Sequence, residues 1–196
     1  MATVRAALTP TGNRAPVVIE VSSKEPSGVA WVARFPTSVA VGDLIEPFRS
    51  NVNSFLAAIS AAGGNATISA TYRPVERAYL MHYSSKLSKG EIAANNIPAA
   101  DGVDIEWVHD TEAKSVAAAS AMANAYGIAY PPALVSNHTR RTAIDMTIGN
   151  MVGRSITDAQ GTVIAVKKLS DLHAVGASFG VIKLVSDPPH WSDDGH

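Results

Sequence analysis

Two short stretches, far apart in the chain, hold the residues best suited to chemistry. The first is Ser136-Asn137-His138-Thr139-Arg140-Arg141-Thr142-Ala143-Ile144-Asp145-Met146, and the second is Asp187-Pro188-Pro189-His190-Trp191. Together they offer two histidines and two carboxylates, enough for an open zinc site with a catalytic base. The chain has no cysteine, which excludes disulfides, thiolate metal sites and cysteine nucleophiles. Any metal must therefore be held by His, Asp, Glu or water. A zinc ion with three protein ligands keeps a fourth position for water, and a nearby carboxylate can take that water's proton.

Each of these residues needs an element to position it. Thr142 to Gly149 reads as a strand, with Ile144, Met146 and Ile148 on one face and Ala143, Asp145 and Thr147 on the other. His138 falls just before that strand. Asp187-Pro188-Pro189-His190 suggests polyproline II, whose roughly 3 residues per turn would project residues 187 and 190 to one side. Upstream, residues 66–73 alternate. Ile68, Ala70 and Tyr72 are expected on one face, and Thr67, Ser69, Thr71 and Arg73 on the other.

The remaining elements form a frame. Pro47 opens a helix carrying Phe48, Val52, Phe55, Leu56 and Ile59 at helical spacing, stopped by Gly63-Gly64. Pro74 starts a second helix that closes at Lys86, Lys89 and Gly90. Residues 91–104 read as loop, and Val103 to Val108 as a short strand. A third, alanine-rich helix starts at a cap on Asp110 or Thr111 and runs to Tyr126 and Gly127. Asp158 to Gly161 is a hairpin turn, Ser170 caps a short helix, and Val181 to Val185 is the last strand. Helices segregated from short strands and hairpins indicate an α+β fold, a small antiparallel sheet with helices packed against it. Residues 1–30, rich in Thr, Pro, Ser and Gly, read as an N-terminal extension in which Val17 to Val21 is a candidate strand. Residues 31–196 read as a single domain.

The two chemical stretches resemble the metal-binding signature of the M15 peptidoglycan peptidases, which share the Hedgehog/D,D-peptidase fold. That family pairs Ser-x-His-x6-Asp with an acidic residue three before a final His, usually followed by an aromatic. Ser136, His138 and Asp145 match the first part; Asp187, His190 and Trp191 match the second. The resemblance implies that His138, Asp145 and His190 bind Zn²⁺ and that Asp187 is the general base. Tyr72-Arg73 matches a Tyr-Arg pair that ends a strand in the family, so Arg73 is expected to stabilise the developing oxyanion. Ser136, Arg141 and Trp191 are expected around the substrate. The similarity spans roughly residues 31–196 by order of motifs. Arg141 stands where the family usually has glycine. The base is Asp, as in the phage endopeptidases of the family.

Read this way, the chain is expected to hydrolyse peptidoglycan stem peptides or cross-links, as an endopeptidase or D,D-carboxypeptidase. It would serve as a phage lysin or as a secreted antibacterial effector. The alternatives are a cytoplasmic D-Ala-D-Ala dipeptidase and a non-catalytic wall-binding module that keeps the fold. A net charge of -1 gives no reason to expect nucleic acid, and no apolar run suggests a membrane span. Met1 to Pro16 carries Arg5 and Arg14 but no apolar core of signal-peptide length, so a wall substrate would require a holin or a secretion apparatus. An immunity or delivery protein would accompany such a route, and nothing in the sequence specifies one.

Blander roles compete residue by residue. Asp145 could pair with Arg140, Arg73 with Glu76, and Asp187 could be a turn residue. Gly176-Ala177-Ser178-Phe179-Gly180 fits the G-x-S-x-G pattern of serine hydrolases, but a helix precedes Ser178 and a strand follows, the reverse of a nucleophile elbow. His82 reads as a packing residue, His109 as a candidate for the cleft wall, and His196 as a loose end.

Overall fold

The computed structural model describes residues 24–128 and 131–196, so the candidate strand at Val17–Val21 lies outside the described residues. The architecture is α+β. In chain order the strands are β1 (Glu25–Pro26), β2 (Asn65–Ala70), β3 (Ile105–Glu106), β4 (Ala143–Gly149), β5 (Ser155–Thr157), β6 (Val163–Ala165), β7 (Ile182–Lys183) and β8 (His190–Ser192). The helices are α1 (Phe48–Ala61), α2 (Val75–Ser88), α3 (Glu112–Tyr126), α4 (Asn137–Arg140) and α5 (Leu172–Ser178). The central sheet is antiparallel, in the order β2-β4-β8-β7. Among the described residues no helix is long and apolar enough to cross a membrane.

The molecule buries two hydrophobic clusters. The first forms where α1 lays Phe48, Val52, Phe55 and Ile59 against Ile144, Met146 and Ile148 of β4, with Val175 of α5 and Trp191 of β8 completing it. Full burial of each such side chain contributes about 1.5–3 kcal/mol. The second cluster joins α2 and α3 around Trp31, Tyr79, Leu80, Trp107 and Met122. Two of its aromatic polar groups are satisfied internally, while the Tyr126 hydroxyl is buried without a hydrogen-bond partner among the described residues. Trp107 Nε1 donates to the Tyr79 hydroxyl at 3.1 Å, and that hydroxyl donates to the Pro98 carbonyl at 2.7 Å. Thr111 caps α3 through Oγ1, which accepts from Lys114 N–H, and Gly127 ends it in the left-handed conformation (φ 69°).

Several expected boundaries shift. The predicted strand over 66–73 ends at Ala70, and one extra residue at Ser69 breaks its register with β4: Ile68 pairs with Met146, but Ala70 pairs with Asp145. Opposed residues in a ladder share a face. Ala70 therefore lies with Asp145, not with Ile68 as strict alternation predicts. The strands expected over 103–108 and 181–185 shrink to two residues each. Ser170 sits inside a 3₁₀ turn (Leu169–Asp171) and caps nothing; Asp171 instead accepts from the Lys167 and Lys168 N–H groups. His109 does not reach the cleft, because its ring bonds the Ser27 hydroxyl and anchors the segment that carries β1. His82 is satisfied by the Pro132 carbonyl. Ser178 ends α5, donating to the Val175 carbonyl and accepting from Ala159 N–H, with no general base beside it.

One close approach in the first cluster is at Gly176 of α5. A β-carbon there would lie 2.6 Å from Trp191 Cζ3 and 2.7 Å from the Val181 carbonyl oxygen. Gly176→Ala is expected to cost about 1–3 kcal/mol through overpacking, read as a fall in the denaturant midpoint with an unchanged slope.

Candidate metal centre

The site begins with the single turn of α4. Ser136 is its N-cap: its hydroxyl accepts from Thr139 N–H, and Thr139 Oγ1 accepts from Ser136 N–H, a reciprocal capping box. Ser136 therefore aims His138 whatever else it does at the cleft edge. The turn closes at Arg141, a left-handed residue (φ 67°, ψ 30°) whose N–H returns to the helix. Glycine is the usual residue there because it has no β-carbon penalty. The requirement for glycine at this point is thus conformational. Arg141 meets it with its guanidinium stacked over the Tyr72 ring at 4.2 Å, outside the cleft.

β4 and β8 bring the other ligands. Asp145 and His190 are register partners, so both face the cleft. Their neighbours Ile144 and Trp191 pair on the opposite, core-facing side. Trp191 is only 4% exposed and packs on Phe55 and His173. The aromatic after the last histidine is therefore a core residue here, on the side of β8 away from Asp145.

His138 and His190 are both buried, and each spends its outer nitrogen on a main-chain oxygen. His138 Nδ1 lies 2.8 Å from the Thr71 carbonyl, and His190 Nε2 lies 3.0 Å from the His196 main-chain oxygen. A main-chain oxygen only accepts, so these nitrogens carry the protons. In the neutral rings the inner nitrogens are then acceptors. His138 Nε2 and His190 Nδ1 stand 3.2 Å apart, and each lies 3.0–3.1 Å from Asp145 Oδ1. In that state three acceptors converge with no donor among them, an arrangement that a shared proton or a metal cation must bridge. Tetrahedral zinc ligands at about 2.0–2.1 Å stand roughly 3.3 Å apart, close to these spacings, and no other His, Asp or Glu group of this kind occurs among the described residues. The donor set fits zinc.

The electrostatics agree. Burial pushes the Asp145 carboxyl upward, but hydrogen bonds from His138 and His190 outweigh it and hold the group well below the ordinary carboxylate range. The bond to Asp145 raises His190 against the opposing effect of its burial. With the ion bound, its charge takes over the role of those protons.

Arg73 and Asp187 line the same cleft, which has a volume of about 450 Å³. Arg73 forms no ion pair with Glu76. Its Nε is buried without a hydrogen-bond partner among the described residues, and its main-chain N–H reaches the His138 carbonyl at 3.2 Å. Burial lowers its pKa and the Asp145 charge pulls it back up. Arg140 pairs with the Asn137 side chain, not with Asp145. Asp187 is exposed and sits in a turn, so polyproline II does not form. Asp187 N–H bonds the Leu184 carbonyl, and His190 N–H bonds the Asp187 carbonyl at 3.1 Å. That second bond, an i to i+3 closure, keeps residues 187 and 190 on one side by a different geometry.

Sequence reasoning missed the supporting groups. The Thr71 carbonyl is a main-chain atom delivered by the end of β2 and has no signature. Asn137 Nδ2 donates to Asp194 Oδ1 at 2.6 Å and to the His196 main-chain oxygen at 2.8 Å, which places that oxygen against His190. His196 is therefore part of the site's support.

The sequence matches no protein-family model and has no match among curated proteins. Among solved structures, the chain is similar to a zinc-bound mutant of VanY, a vancomycin resistance D,D-pentapeptidase from a VanB-type resistance cassette. The TM-score is 0.34 and the identity 15%, over 82% of this chain and 80% of that one. It is also similar to VanYB in complex with D-alanine-D-alanine, with a TM-score of 0.35 and 14% identity over 82% and 78% of the two chains.

Zinc at a hundredfold above its Kd should stabilise the fold by about 2.7 kcal/mol, read as a rise in melting temperature. Asp145→Ala and His190→Ala should lose this shift; its persistence in either would remove that residue from the ligand set. At the helix end, Arg141→Gly exchanges a stacking contact worth about 0.5–1 kcal/mol for relief of about 1–2 kcal/mol of left-handed strain. On these terms it should equal or exceed the wild type in stability, by up to about 1.5 kcal/mol, and keep the zinc response. Arg141→Ala keeps the strain without the contact, and denaturant titration should find it the less stable of the two.

Proposed function

We propose that this chain is a zinc-dependent peptidase acting on the peptides of peptidoglycan. The observation that carries the reading is the convergence of three metal-ready acceptors in one cleft with an arginine whose Nε is without a hydrogen-bond partner and an exposed carboxylate. The motif resemblance supplies the substrate class.

Zinc held by His138, Asp145 and His190, with a fourth position open, would acidify a water and polarise a carbonyl. The chain's own groups do the rest. Asp187, on the exposed rim, accepts the proton of the attacking water and returns it to the leaving amine nitrogen. Arg73 presents its guanidinium charge to the oxygen that becomes negative as the carbonyl carbon turns tetrahedral. Thr71 and the His196 main-chain oxygen hold the two imidazoles in the required tautomer. The acid is Asp, not Glu, which favours cleavage within stem peptides or cross-links over release of a terminal D-alanine. A cell-wall substrate suits a lysin or an exported antibacterial effector.

Mass spectrometry of purified peptidoglycan, incubated with the protein with and without a chelator, is the test. Chelator-sensitive release of defined peptides or of free D-alanine is expected, and the product names the bond. Asp187→Ala should keep zinc and lose turnover by about 10²–10⁴-fold, whereas His138→Ala should lose both. Wild-type turnover in Asp187→Ala would remove it from the base role. No new product from the zinc-loaded protein would overturn the peptidoglycan reading.

A further inference from the structure

Asp187 and His190 lie on a turn whose ends are held by main-chain bonds, Leu184 N–H to the His190 carbonyl at 3.1 Å and Met146 N–H to the Pro189 carbonyl at 2.8 Å. Residues 184–190 leave β7, turn twice and return as β8, and Pro188 and Pro189 contribute no N–H. Three carbonyl oxygens of this segment, those of Leu184, Asp187 and His190, point to one place. Lys183 Nζ occupies it. The ammonium donates to the Leu184 and Asp187 carbonyls and, at 2.9 Å, to the His190 carbonyl. Its stem runs beside the Trp191 ring, with Nζ 5.6 Å from the ring centroid.

An ammonium has three donors, and here all three are used. Neutral side chains bring at most two, and the planar guanidinium of arginine cannot gather three acceptors around one point. Lys183 also borders a second, largely apolar cavity of about 420 Å³ with Leu172, His173, Pro188, Pro189 and Trp191. The turn is therefore a thin partition with the metal cleft on one side and this cavity on the other. A displacement of the order of 1 Å at a catalytic group costs roughly 10²-fold in rate.

We propose that Lys183 is a positioning residue: by collecting the Leu184, Asp187 and His190 carbonyls it holds the proposed base and the last metal ligand in register with His138 and Asp145. The part that concerns Asp187 rests on the peptidase reading above; the part that concerns His190 does not.

The experiment compares wild type, Lys183→Met and Lys183→Gln for zinc affinity by competition with a chromophoric chelator, and for kcat and KM on a peptidoglycan peptide. Lys183→Met is expected to weaken zinc binding about tenfold and to lower kcat about 10–100-fold, with KM within about threefold. Lys183→Gln keeps two donors and should fall between. A residue that merely stabilised the fold would lower the melting temperature and leave the zinc affinity and kcat of the folded protein unchanged. That result, or failure of both variants to fold in zinc, overturns the proposal. If the wild type has no peptidase activity but zinc affinity still depends on Lys183, the role at His190 stands and the peptidase reading falls.

Discussion

The site depends on where two imidazole protons are placed. The Thr71 carbonyl takes one and the His196 main-chain oxygen takes the other, and both inner nitrogens are then left as lone pairs facing a carboxylate. Three mutually repelling acceptors in a buried space are costly unless a cation joins them. The fold keeps them together because the covalent chain and the sheet register leave them nowhere else to go. Asp145 and His190 are locked by the β4-β8 ladder, and His138 by a capped helical turn. Organisation of the site thus precedes the metal and is sustained by hydrogen bonds that the metal does not touch.

Two cores share the task of support. The sheet cluster fixes β4 and β8 from behind, through Ile144 and Trp191, the immediate neighbours of two ligands. The helical cluster fixes α2, which begins just after Arg73. Arg73, between the end of β2 and the start of α2, lines the cleft together with Arg140.

Much of this was legible in the sequence, and the limits follow from physics. The convergence of His138, Asp145 and His190 was readable because zinc chemistry demands particular side chains at particular spacings, and α1, α3 and β4 because long periodic segments declare themselves. Trp191 lies in the core because a strand alternates: the residue beside a cleft-facing histidine must face the core. Arg141 looked like a substrate contact because a sequence does not display φ, and the left-handed helix end that explains the position is a backbone property. Pro188-Pro189 suggested polyproline II, yet flanking N–H groups on Asp187 and His190 closed turns that local propensity could not foresee. Lys183 left no trace at all, since its partners are carbonyls and every residue has one.

The extra residue at Ser69 has one more effect. Up to Ile68, strand β2 is in phase with the core; from Ala70 onward it is in phase with the cleft, and it hands the Thr71 carbonyl to His138. The bulge acts as a coupling between two gears that need not share a tooth count. Substitutions that repack the apolar side can accumulate on one half of the strand without rotating the group that sets a ligand's tautomer on the other. A lineage carrying this bulge is free to change its core and its chemistry on separate schedules.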